Sequence, residues 1–159
     1  MMDSYIEQNK EKIVRSLQEL IRIPSVKGEP SPGAPFGKEV KRALDYTLDL
    51  CRQLGFEAHD VDGYIGYAQI PSCADKEQVA VLTHLDVVPE GQNWSFPPFG
   101  GDIDNGKLYG RGTTDNKGPA IATIYALKAL MESGQPLNKN IRLIFGCDEE
   151  SGWGCIDHY

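Results

Sequence analysis

His84 and Asp86 stand two residues apart at the end of an apolar run, Asp115 follows the stretch Arg111-Gly112-Thr113-Thr114, and Glu149 and Glu150 lie side by side after a second apolar run. Imidazole nitrogens and carboxylate oxygens without a thiolate suit divalent zinc, cobalt or manganese. Side chains alternate across a strand, so His84 and Asp86 leave it on the same side, where a carboxylate can fix the imidazole tautomer that offers its other nitrogen to a metal. Asp115 is central in sequence, and a central carboxylate can bridge two ions. Adjacent residues of extended chain point apart, so one of Glu149 and Glu150 can ligate while the other serves as a general base toward water. Singly, these groups have plainer readings: a polar strand end, a side-chain helix cap at Asp115, a solvated acidic turn over residues 148–150. Jointly, carboxylates at short range resist ionisation unless cations hold them, and zinc is the natural candidate.

The elements that must position these groups follow from apolar periodicity. Ile6, Ile13, Val14, Leu17, Leu20 and Ile21 recur at helical spacing, predicting an amphipathic helix from Ser4 to Ile23 that Pro24 stops. Ser25 to Gly37, rich in proline and glycine, is a loop rather than a domain boundary. A second helix is predicted from Lys38 to Leu54, with Gly55 behind it. Phe56 to Val61 and Tyr64 to Ile70 form a hairpin around Asp62-Gly63, a pair suited to positive φ. Pro71 to Glu77 turns the chain into a strand beginning at Val79 and expected to be buried on both faces. Residues 90–101 carry Trp94, Phe96 and Phe99 among prolines and glycines, fit either to wall a pocket or to pack over a sheet edge. Asn105-Gly106 marks a turn and residues 107–110 a short strand. Ala120 to Met131 has hardly a polar face, which requires cover on nearly all sides, and Pro119 sets its start. Lys117 at that end opposes the helix dipole and calls for compensating negative charge nearby. Ile141 to Phe145 is a further buried strand.

Helices alternating with strands predict an α/β domain, a mixed sheet flanked by helices, and ligands in such domains bind beyond the carboxyl ends of the strands, where the charged groups above lie. A length of 159 residues with 40% hydrophobic composition fits one domain. The net charge of −7 without a basic block argues against nucleic acid or an anionic membrane as partner. The charged N-terminus lacks the apolar core of a signal peptide, so a cytoplasmic location is expected, with Cys51, Cys73, Cys147 and Cys155 reduced. Oligomeric state is not read from these features.

Three motifs in order, His84-Leu85-Asp86-Val87-Val88-Pro89, then Gly110-Arg111-Gly112-Thr113-Thr114-Asp115-Asn116-Lys117-Gly118-Pro119, then Asp148-Glu149-Glu150-Ser151-Gly152-Trp153, resemble the zinc peptidase and deacylase superfamily that includes aminoacylases, succinyl-diaminopimelate desuccinylase and carboxypeptidase G. The Asp-Asn-Lys-Gly-Pro and Glu-Glu-Ser-Gly-Trp runs are most similar to PepV-type dipeptidases, and the similarity reaches back to Ile23-Pro24-Ser25-Val26. The resemblance implies a zinc-exopeptidase-like catalytic domain with two zinc ions: His84 on one, Glu150 on the other, Asp115 bridging them by way of a cis peptide to Asn116. Asp86 would orient His84, and Glu149 would be the general base for hydrolysis of a small peptide, or alternatively of an N-acyl amino acid. It also implies a later aspartate ligand, a final histidine ligand and a lid domain, none of which matches residues here, since His59 and His158 fit no ligand motif. Residues 1–159 are therefore expected to be the N-terminal portion of a catalytic domain incomplete at the C-terminus, inactive alone; a non-catalytic remnant is the reading from another class.

Overall fold

The computed structural model describes residues 2–70 and 77–159. In chain order the elements are α1 (Met2–Ile21), α2 (Lys38–Gln53), β1 (Glu57–Val61), β2 (Ile65–Gln69), β3 (Gln78–His84), β4 (Asp102–Asp104), β5 (Lys107–Tyr109), α3 (Lys117–Glu132), β6 (Asn140–Gly146) and α4 (Gly154–His158). The expected turn at Pro71 to Glu77 lies almost wholly outside the described residues. No described helix is long and apolar enough to cross a membrane, and Cys51, Cys147 and Cys155 are free thiols.

β1, β2, β6 and β3 form one mixed sheet in that order, with β1, β2 and β6 antiparallel and β6 parallel to β3. The hairpin turns where expected, with Asp62 at φ 54 and Gly63 at φ 75. β4 and β5 make a separate two-stranded ribbon about Asn105-Gly106. The parallel pair decides where the chemistry falls. His84 lies opposite Gly146 in the register, so the chain leaving β3 and the chain leaving β6 emerge side by side.

Gly66, Leu143, Phe145 and Val81 share one face of the sheet, since paired residues project the same way. α2 packs there through Leu44 and Leu48, so close that a Cβ on Gly66 would come within 2.7 Å of Leu44 Cδ1. α3 lies beside it, between the sheet and α1, burying Ala120, Ile121, Ile124, Tyr125, Leu127 and Ala129. That placement supplies the cover its apolar circumference requires. Ser16 and Tyr125 share a buried hydrogen bond of 2.9 Å between α1 and α3.

β3 departs from expectation. It is an edge strand among the described residues, with Val79 43% and Leu82 46% exposed, and only Thr83 and His84 are buried. An apolar run shows that a strand will be covered in the finished fold, but it does not say by which part of the chain. Val79 and Leu82 project from opposite faces, so both faces of this edge are open.

Candidate metal centre

β3 delivers His84 and Asp86, the turn before α3 delivers Asp115, and the exit of β6 delivers Glu149 and Glu150. All five residues expected from the sequence meet. His84 Nδ1 donates to the main-chain carbonyl of Asp86 at 3.0 Å, which leaves Nε2 as the coordinating nitrogen of the neutral ring. Nε2 lies 3.0 Å from Asp115 Oδ1 and 3.5 Å from Glu149 Oε2. His84, Glu149 and Glu150 each offer a ligand atom, all within 4.8 Å of one another. The peptide bond between Asp115 and Asn116 is cis, as the resemblance implies.

Asp86 is 1% exposed, and its carboxylate does more than face the imidazole. Oδ1 accepts from the Glu149 N–H at 3.1 Å and Oδ2 from the Glu150 N–H at 3.0 Å, while the imidazole Nδ1 is 3.5 Å away. One buried carboxylate thus fastens the chain leaving β6 to the chain leaving β3. Burial pulls the His84 imidazole down, but the side chain, charge and backbone carbonyl of Asp86, with Asp115, outweigh it and hold the ring up at about 9. Burial first, then the charges of Asp115 and Glu149, push the Glu150 carboxyl up. Carboxylates gathered about one imidazole favour a positive charge at their centre, and a nitrogen-and-oxygen donor set at this spacing fits divalent metal ions.

Sequence reasoning did not anticipate three supports of the site. Asp148 is 3% exposed and belongs to the scaffold: Oδ1 pairs with Lys27 Nζ at 2.7 Å and Oδ2 accepts from the Gly154 N–H at 3.1 Å. Trp153, at φ 62 and exposed, lines with Asn116, Thr83, His84, Asp115 and Glu149 a hollow of about 220 Å³. Lys117 has the negative charge expected nearby, from Asp86 and Glu39, but its hydrogen bonds go to main-chain carbonyls. The aromatic loop does some of both things expected of it: Phe96 packs at a tilt on Tyr109, 4.4 Å between ring centroids, whereas Trp94, under the Arg111 guanidinium at 5.4 Å, lines a second hollow that reaches Asp115. His158 lies away from the centre, stacked on Tyr64 and 3.1 Å from Asp62, and His59 stacks on Tyr67.

Residues 80–158, from β3 through α4 and so including all five residues of the centre, match the family described as Peptidase family M20/M25/M40. Over that stretch the chain resembles this peptidase family. The M20 match agrees with a Bacillus subtilis (strain 168) relative, YtjP, provisionally classed as a dipeptidase, 42% identical over 96% of this chain and 33% of its own length. Among solved structures, human carnosine dipeptidase 1 superposes with a TM-score of 0.83 at 30% identity over 99% of this chain and 37% of its own. An M20 family metallo-carboxypeptidase from Sulfolobus solfataricus gives a TM-score of 0.73 at 28% identity, covering 87% of this chain and 31% of its own. The chain thus spans about a third of the length of these relatives.

Proposed function

We propose that these residues form the N-terminal portion of the catalytic domain of a cytoplasmic dipeptidase that hydrolyses the amide bond of a small peptide at a dinuclear zinc centre. The observation that carries this reading is the convergence of His84, Asp115, Glu149 and Glu150 at the exits of the parallel pair, each within a few ångströms of its neighbours. His84 would hold one ion, Glu150 the other, and Asp115 both. Zinc, when bound, polarises the scissile carbonyl and makes water more acidic, and cobalt or manganese suits the same donors. Glu149, half-buried beside His84, takes a proton from the attacking water and passes it to the leaving amine. Asp86 holds Glu149 and Glu150 by their backbone and keeps His84 in its tautomer. Trp153 and Asn116 form the wall against which a small substrate rests.

This reading also takes the remaining ligands and the lid to come from chain outside the 159 residues. The open edge of β3, where Val79 and Leu82 are exposed on opposite faces, supports it: a strand added there, with layers of its own, would cover Val79 and Leu82 together.

In the complete polypeptide, Glu149→Ala should abolish dipeptide hydrolysis while the zinc content per protein stays near that of the wild type. Zinc lost along with activity would make Glu149 a ligand. The 159 residues alone should show no turnover, and metal-dependent hydrolysis by them, abolished by Glu149→Ala, would overturn the incomplete-domain reading.

A further inference from the structure

Lys117 is fully buried, and its ammonium takes no part in the reaction described above. Nζ donates to the carbonyl of Leu20 at 3.1 Å and to that of Ile23 at 2.7 Å, at the C-terminal end of α1. Each of these carbonyls also accepts a backbone N–H, from Ile23 and Ser25 in turn, and carbonyls at a helix end carry partial negative charge that welcomes a cation. The chain is shaped around the lysine stem: a Cβ on Gly112 would lie 3.0 Å from Lys117 Cδ and 3.1 Å from Val87 Cγ1.

The segment held by Lys117 continues into the other half of the centre. Two residues beyond Ile23, the Ser25 hydroxyl donates to the carbonyl of Leu85 at 2.6 Å, and the Val87 N–H donates to the carbonyl of Ser25 at 3.0 Å. These bonds grip the chain on either side of Asp86, directly after His84. The path therefore closes: Asp115, Lys117, Ile23, Ser25, Leu85, His84, and back to Asp115 across 3.0 Å. Packing alone would be served by a methionine of similar length. A buried ammonium is costly unless its donors are satisfied, and the acceptors it finds are on the segment that fixes the β3 exit.

We propose that Lys117 is a positioning residue of the metal centre, fastening the α1 exit beneath the Asp115 turn so that Asp115 is held at a fixed distance from His84. The inference rests on the metal-centre reading above. It assigns to the Ile23-Pro24-Ser25-Val26 segment, remote from substrate, a share in metal affinity.

Zinc affinity of the complete polypeptide, measured by competition with a chromophoric chelator, tests it together with a urea melt of each variant. Lys117→Met should weaken zinc binding by about 10–100-fold, the range for lost supports of metal ligands, in protein that still unfolds cooperatively. Ser25→Ala, a milder cut in the same path, should also weaken binding, and the double variant should bind no more weakly than the worse single one, because both break one linkage. Should Lys117→Met fail to fold, Ser25→Ala decides: zinc affinity equal to the wild type in folded Ser25→Ala overturns the inference, as does unchanged affinity in folded Lys117→Met or full additivity of the pair. Wild-type zinc binding that is absent, or indifferent to His84→Ala, overturns the metal-centre reading itself and the inference with it.

Discussion

At the scale of single residues, Asp86 has the largest consequence for its size. Its carboxylate accepts two backbone N–H groups in a buried setting, and each such bond to a charged group contributes on the order of 1.5–3 kcal/mol. Asp86→Ala should lower unfolding free energy by about 2–5 kcal/mol in urea titration, with Asp86→Asn intermediate because an amide keeps one acceptor. A loss no larger than that of an exposed aspartate would contradict this role. Two titrating groups make a second prediction. His84 sits at about 9 against an ordinary 6.5, so its proton stabilises the fold fully below about 6.5, and that contribution fades as pH rises through 9. Lys117 is pushed down from 10.5 to about 7, by burial first and Arg42 next, so its proton favours the unfolded chain and that penalty is relieved as pH rises from 7 to 10.5. Between pH 7 and 9 the slopes oppose. The urea midpoint of the metal-free chain should be nearly flat there, rising with pH in His84→Ala and falling in Lys117→Met; equal slopes in all three proteins would contradict the assignment.

At the scale of elements, α2 rests on β2 because position 66 carries no side chain. Gly66→Ala would set a Cβ at 2.7 Å from Leu44 Cδ1 and 3.0 Å from Leu48 Cδ2, both buried and unable to move freely. It should destabilise by about 1–3 kcal/mol, part of which Leu44→Ala, by opening space at that point, should recover in the double variant. Additive losses on thermal or urea unfolding would show that the helix does not press there. The helix and hairpin boundaries were legible because their signals are local: apolar spacing, Pro24, Gly55 and Asp62-Gly63 act within a few residues of themselves. The solvent exposure of β3 was not, because burial of a strand depends on neighbours that its own residues do not name.

At the scale of the whole molecule, the outer edge of β3 has no neighbouring strand among the described residues and exposes Val79 and Leu82, a combination prone to edge-to-edge association. The 159-residue chain should sediment as a concentration-dependent mixture of monomer and larger species, and Leu82→Lys should shift it toward monomer without changing its circular dichroism. A strictly monomeric wild type would show that the edge is protected. The sequence by itself determined which residues could hold a cation, because imidazole and carboxylate chemistry is intrinsic to side-chain type, and their order in three motifs carried the family resemblance. It also determined α1, α2, α3 and the hairpin, though not the short α4. Only the tertiary structure decided that Asp86 reaches the amides of Glu149 and Glu150, that Asp148 serves Lys27 and Gly154, and that the hydrogen bonds of Lys117 go to the end of α1 rather than to an acid. Apart from Gly154, six positions from Asp148, those partners lie roughly 60 to 120 positions away along the chain. What brings the distant ones within hydrogen-bond reach is the parallel register of β3 and β6 and the packing of α1 on α3, which no local pattern encodes.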